Sequence, residues 1–150
     1  VSIRTLDAGH YSTCAVSDAG EAWCWGLNDN GMLGQGTEGG AAFVPTRVVH
    51  AWEGPAFDAV TDVIMAADYS GNPYQDVYAL RADGTLWGWA AATATSVPVP
   101  FLLGGEPVSG VWRVGTNQGC PTLIRRDGLV IGPTNSLCSA NLDPIFPICP

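Results

Sequence analysis

The sequence predicts an all-β fold of about three four-stranded blades in tandem, together one partial propeller domain. Three observations predict it. The phrase "CAVSDAGEAWCWG" (residues 14–26) recurs as "YALRADGTLWGWA" (78–90) and, more weakly, as "TLIRRDGLVIGPT" (122–134). Each copy is preceded by an apolar stretch and followed by a Pro-marked one, so a whole unit repeats. With 19 Gly and 11 Pro the chain is rich in turns, which suits short strands better than long helices.

Each copy reads as a hairpin. In the first, Cys14 faces Cys24, Ala15 faces Trp23 and Val16 faces Ala22 across the turn "DAG". In the second, Tyr78 faces Gly88, Ala79 faces Trp87 and Leu80 faces Leu86, and the turn ends at Gly84. In the third, Leu123 faces Ile131, Ile124 faces Val130, and the turn ends at Gly128. Three-residue hairpin loops favour positive φ at their last place, where Gly has no Cβ to clash. Sizes compensate across the pairs: a small Ala faces Trp twice, and a medium Leu faces Ile once. The position of the Cys pair is held by Tyr and Gly in the second copy, where an aromatic ring over a bare Gly repairs a weak strand position.

The flanking pieces complete the units. "VSIRTLDAG", "VTDVIMAAD" and "VSGVWRVG" supply a first strand; "VPTRV", "VPVPF" and "DPIFPI" supply a last one. Pro cannot donate to a ladder, so these last strands belong at an edge. The units run over residues 1–59, 60–107 and 108–150, a period in the range of propeller blades.

Composition limits the function classes. The chain is 47% hydrophobic and 13% charged, too apolar for a disordered protein, and contains no apolar run long enough for a bilayer span. Its net charge is −8, and all six basic residues are Arg. Without a basic stripe to displace counterions, no nucleic-acid partner is expected. The chain opens on Val1 with no charged-then-apolar leader, which suits a processed or excised segment.

The stretch "STCAVSDAGEAWCWGLNDNGMLGQG" (12–36) resembles the repeat of the regulator of chromosome condensation family. Trp25, Gly26, Asn28, Gly31, Leu33, Gly34 and Gly36 match its long motif; Met32 departs from the usual Gln, and Ser12 stands where the family often has His. The likeness is specific in the first repeat, moderate in the second, and reduced to the hairpin and Pro strand in the third. The resemblance implies propeller blades in a ring that usually closes with seven. Three blades cannot close, and an open fan exposes apolar flanks that soluble monomers avoid. A piece of a longer protein, or a ring completed by other chains, is therefore expected.

Cys14 and Cys24 are expected to form a cross-strand disulfide, since facing Cα atoms of an antiparallel pair lie within disulfide reach. That implies an extracellular or periplasmic location. Of the remaining three, Cys138 could pair with Cys149 to tie the last strand, or with Cys120 to tie the third hairpin to its tail. One thiol is left over, free or bonded to another chain. No spacing suits zinc, so no metal and no cofactor are expected. His10 and His50 lie in different contexts and read as surface or packing residues. The loop Asn28-Asp29-Asn30-Gly31 reads as a turn in which the Asn side chain satisfies nearby backbone groups.

Trp23 with Trp25, and Trp87 with Trp89, form aromatic stripes two residues apart on one strand face, suited to packing blade on blade. Candidate partner contacts are Phe43, Arg47, Trp52 and Phe57 in the long first connection (37–58), with the Ala/Thr-rich loop (90–96) beside them. The expected function is a non-catalytic, extracytoplasmic protein-binding or scaffold module. The alternatives are an accessory subunit of a larger extracytoplasmic complex, an inhibitor of a secreted enzyme, and, as the resemblance implies, guanine-nucleotide exchange on a small GTPase. Acidity and the Cys pair speak against the last.

Overall fold

The computed structural model describes residues 1–51, 54–67, 75–90, 93–103, 105–117, 120–132 and 143–147. Among them are three four-stranded antiparallel sheets, each with its strands in chain order. Blade 1 comprises β1 (Ile3–Ala8), β2 (Ser12–Ser17), β3 (Ala22–Leu27) and β4 (Ala41–Arg47). Blade 2 comprises β5 (Val60–Ala67), β6 (Gln75–Arg81), β7 (Leu86–Ala90) and β8 (Thr95–Pro100). A small ribbon, β9 (Leu102–Leu103) with β10 (Glu106–Pro107), leads to blade 3: β11 (Val111–Asn117), β12 (Cys120–Arg125), β13 (Leu129–Gly132) and β14 (Asp143–Pro147). The all-β class and the blade architecture are those the sequence predicts.

The three hairpins have the expected registers, from Cys14 opposite Cys24 and Tyr78 opposite Gly88 to Leu123 opposite Ile131. Gly20, Gly84 and Gly128 close the turns at φ of 80°, 82° and 84°, a conformation a side chain would strain. The ribbon and a 3-10 turn at Asp29–Gly31 are additions that the repeat pattern did not announce.

The blades stack face to face. The back of blade 1 (Cys14, Val16, Ala22, Cys24) meets the front of blade 2 (Val63, Val77, Ala79, Trp89) in one apolar cluster. The back of blade 2 (Tyr78, Leu80, Leu86) meets the front of blade 3 (Val111, Leu123, Ile131) in another. Each sheet is therefore buried on the face that another sheet covers, which is how a repeat that cannot hide its own flank becomes stable. Polar bonds join the same seams. The Val60 N–H donates to the Gly20 carbonyl at 2.9 Å, and the Val111 N–H donates to the Gly84 carbonyl at 3.0 Å. Along β1 and β5, the Met65 N–H donates to Asp7 Oδ2 at 2.9 Å and the Thr5 hydroxyl donates to Asp62 Oδ1 at 3.3 Å.

Candidate binding surfaces

The loop after β3 explains the spacing of the first-repeat motif. Asn28 is buried, and its Oδ1 accepts from the Leu33 N–H at 3.0 Å while its Nδ2 donates to the Thr37 carbonyl at 3.0 Å. One amide thus staples both arms of the loop. Gly31 and Gly34 let the loop approach blade 2. A Cβ on Gly31 would stand 2.5 Å from Ser96 Cβ, and one on Gly34 would stand 2.8 Å from Val48 Cγ1 and 3.1 Å from Trp89 Nε1. That close approach brings the Met32 carbonyl to the Trp89 indole, which donates to it at 2.9 Å, and the Ser96 carbonyl to the Gly36 N–H at 2.8 Å. Asn28 is therefore a residue that shapes the seam between blades.

The four candidate partner contacts part company in the structure. Phe43 stands 93% exposed on β4, beside Val44 at 65%. Arg47, at the end of β4, forms an ion pair with Glu21 and lies over the Trp23 ring with its guanidinium carbon 5.1 Å from the centroid. Phe57 is a correction: it is fully buried, because the chain folds back after β4 and the Phe57 N–H donates to the Val48 carbonyl at 2.8 Å. That return places the ring against Trp87, Trp89 and His50, at 5.4, 6.2 and 5.0 Å between centroids. Phe57 is a core residue of the seam and has no surface to offer a partner. Trp52 lies outside the described residues, as do Cys138 and Cys149 and two residues of the 90–96 loop.

The two Trp stripes also differ. Trp89 is fully buried and Trp87 half-buried against blade 1, as an interblade stripe should be. Trp23 and Trp25 lie on the front of blade 1, half-buried, around a cavity of about 270 Å³ lined by Val1, Ile3, Ala15, Trp23, Trp25 and Pro45. The structure joins Cys14 to Cys24 by a disulfide with the Cα atoms 4.2 Å apart. His50 packs edge-on to Phe57 and Trp87, and His10 lies edge-on to Tyr11.

One surface was missed from the sequence. A cleft of about 710 Å³ opens between the hairpin ends of blades 2 and 3, lined by Leu80, Arg81, Trp112, Ile124 and Arg126 among others. Its signal was present: three of the six Arg (113, 125 and 126) fall in the third repeat of an otherwise acidic chain. Arg81 is tied to Asp58 at 3.6 Å and Arg125 to Asp127 at 3.0 Å, while Trp112 is half exposed beside them. Among the described residues no three His, Cys, Asp or Glu side chains come together.

Two family models, both described as the regulator of chromosome condensation (RCC1) repeat, match residues 3–31 and 19–70. Residues 3–70 carry that repeat. The human probable E3 ubiquitin-protein ligase HERC6 is 27% identical over 141 residues, an overlap of 87% of this chain and 13% of that protein. Among solved structures, human WBSCR16 superposes with a TM-score of 0.72 at 19% identity, over 95% of this chain and 37% of the other. Prp20p from Saccharomyces cerevisiae, whose structure was described with its binding to Gsp1p and histones, superposes at 0.59 with 12% identity, over 87% and 32%. At these identities the structural likenesses establish the fold, a set of RCC1-type propeller blades. The chain spans 13% of the length of HERC6 and 37% of the WBSCR16 chain.

Proposed function

We propose that this chain is a non-catalytic protein-binding module, with blade 1 presenting the contact surface. The observation that carries the reading is the outer edge of that blade. Phe43, 93% exposed, and Val44, 65% exposed, are consecutive residues of β4, between Ala42 paired with Gly26 and Thr46 paired with Cys24. Large apolar side chains exposed on the outer strand of a sheet favour association, because their burial releases water. The binding of Gsp1p and histones by Prp20p gives this reading a precedent in a protein of the same fold.

The site is tested by placing a photo-activated crosslinking residue at Phe43, and as a control at Glu38, in the intact protein in its native cells. The expected result is a single dominant protein adduct from position 43, lost when Val44 is also changed to Asp. Equal or absent adducts at the two positions would remove the reading.

An oxidising, extracytoplasmic setting is part of the same proposal, supported by the disulfide between Cys14 and Cys24. Acid quenching of intact cells followed by thiol labelling under denaturing conditions, which expose the two buried residues, checks it: the expected outcome is no labelling of either residue before reduction, and ready labelling of both counts against that location.

A further inference from the structure

The backbone around the hairpin turns is alike in all three blades. The Asp18, Ala82 and Arg126 N–H groups donate to the Ser2, Ala59 and Gly110 carbonyls at 2.9, 2.7 and 2.8 Å. Arg4, Thr61 and Trp112 also share one place: each is the residue left out of the register where the first strand shifts against the second. A bulge of this kind re-aims the side chain it carries. On this shared frame the side chains change from blade to blade, from Arg4 with Asp18, through Thr61 with Ala82, to Trp112 with Arg126.

The first pair cancels its own charge, because Arg4 donates to the Asp18 carbonyl at 3.0 Å and lies 4.0 Å from its carboxylate. The second pair is small and uncharged. The third is a large ring, 50% exposed, with an exposed guanidinium. Trp112 and Arg126 line the cleft of about 710 Å³ between blades 2 and 3, together with Arg81, and no carboxylate among the described residues lines it. Arg81 is fixed there: its Nε donates to the Asp58 carbonyl at 3.1 Å, and its guanidinium lies over the Phe57 and Trp87 rings. The carboxylates of the adjoining turns and connection are engaged elsewhere, Asp58 with Arg81, Asp127 with Arg125 and Asp83 with Thr85. None of the ion pairs among the described residues includes Arg126. Arg113, its guanidinium carbon 5.6 Å from the Trp112 ring centroid, adds a cation beside the ring. Leu80, Val111 and Ile124 make the rest of the lining apolar.

We propose that this cleft binds an acidic peptide segment of a partner protein, at a surface separate from the Phe43 edge of blade 1. The segment carries carboxylates for Arg81 and Arg126, one cation from each blade, and an apolar side chain that rests on Trp112 and the apolar lining. Burial of that side chain releases water from the Trp112 face, and the charge-assisted bonds to the guanidinium groups fix its orientation. Charge complementarity selects this occupant. The chain carries a net charge of −8, yet two of its six Arg line one cleft and a third stands beside it. A nucleic acid could stack a base on Trp112, but its run of phosphates would extend over the acidic remainder of the chain. A short peptide with one or two carboxylates meets the cleft alone.

The test selects random linear heptapeptides, displayed on phage, against the 150-residue chain, and titrates the selected sequences as soluble peptides by calorimetry. The expected sequences are rich in Asp and Glu around an apolar residue. Arg126→Ala and Trp112→Thr introduce the residues that blade 2 carries at the same places, and both positions are exposed. Each is expected to leave the thermal midpoint unchanged and to weaken the Kd of the peptide by at least about tenfold. Phe43→Asp, on the edge of blade 1, is expected to leave that Kd unchanged, so the two surfaces fail separately. A selection that yields no binder, or binders without acidic residues, overturns the proposal. So does a peptide whose affinity survives both cleft substitutions or is lost with Phe43→Asp. Displacement of the peptide by an equal concentration of a short oligothymidylate also overturns it, by making nucleic acid the occupant.

Discussion

Blades 1 and 2 solve the same local problem with different chemistry. At the centre of each hairpin one pair of facing residues must be held: Cys14 with Cys24 in blade 1, bonded through sulfur, and Tyr78 with Gly88 in blade 2. There the ring lies across the bare glycine, so closely that a Cβ on Gly88 would stand 3.3 Å from Tyr78 Cδ1. Burial pushes the Tyr78 phenol far above its usual range, with the nearby Asp76 charge adding to the effect, so it stays neutral. The front faces differ in the opposite sense. Their residues are alike, two Trp on β3 and two on β7, but one pair is covered by a neighbouring blade and the other is not. Backbone pairing thus tolerates varied side chains at one slot, while identical side chains acquire different energies from what lies opposite.

The widest separation between the blades is expected at the Trp stripes. Trp89→Ala removes a fully buried ring and its bond to Met32, and is expected to cost about 3–5 kcal/mol in denaturant unfolding. Trp25→Ala in the same chain is expected to cost less than half of that, being half-exposed. Equal losses would erase the distinction between a covered and an open face.

Removing the disulfide comes next. Cys14→Ser with Cys24→Ser opens a short cross-strand loop and is expected to lower stability by roughly 2–3 kcal/mol. Gly88→Ala, at the equivalent slot of blade 2, is expected to cost about 1 kcal/mol as Tyr78 shifts to admit the methyl group. Chemical denaturation of both variants, with the parent under reductant as a control, measures how much more the covalent solution contributes. Asn28→Ala is expected to fall between the two, at roughly 1–2 kcal/mol, because the buried Leu33 N–H loses its acceptor. Its unfolding curve should show the loss, together with faster exchange of the Trp89 indole N–H, because the loop that Asn28 holds carries the Met32 carbonyl.

The smallest effect concerns the turns. Asp83 in blade 2 accepts from the Thr85 hydroxyl at 2.6 Å and from the Thr85 N–H at 2.9 Å; blade 1 has Ala19 in that place. The hydroxyl bond, first, and then the backbone bond hold the Asp83 carboxyl below its ordinary pKa despite some burial working against it. Its contribution is therefore complete above the ordinary carboxylate range and is lost as pH falls through the lowered folded value. Because the group is exposed, Asp83→Asn is expected to shift the neutral-pH thermal midpoint by no more than about 1–2 °C and to flatten the acid limb slightly. A large shift at neutral pH would mean that the turn, rather than the seams, limits stability.

Much of the fold was legible because its rules are local. A turn that ends in Gly sets the hairpin register, and the register sets which residues face one another, so Ala15 opposite Trp23 and Ala79 opposite Trp87 could be read directly. The surface was less legible. Phe43 and Phe57 look alike in the sequence, two aromatic residues in one long connection beside Pro and Gly. Exposure is a property of the path, and only the return of the chain onto Val48 decides that one ring is on the surface and the other in the core.

The sequence alone determined the three hairpins, their facing pairs and the need of each sheet for a neighbour, because backbone geometry and side-chain volume act over a few residues. Only the tertiary structure decided that Asn28 serves the seam, that Phe57 is core, that Arg81 and Arg126 meet Trp112 at a cleft, and that the first Trp stripe is open. Those outcomes depend on which distant segments come within a few ångströms of one another, and a one-dimensional pattern does not carry that distance.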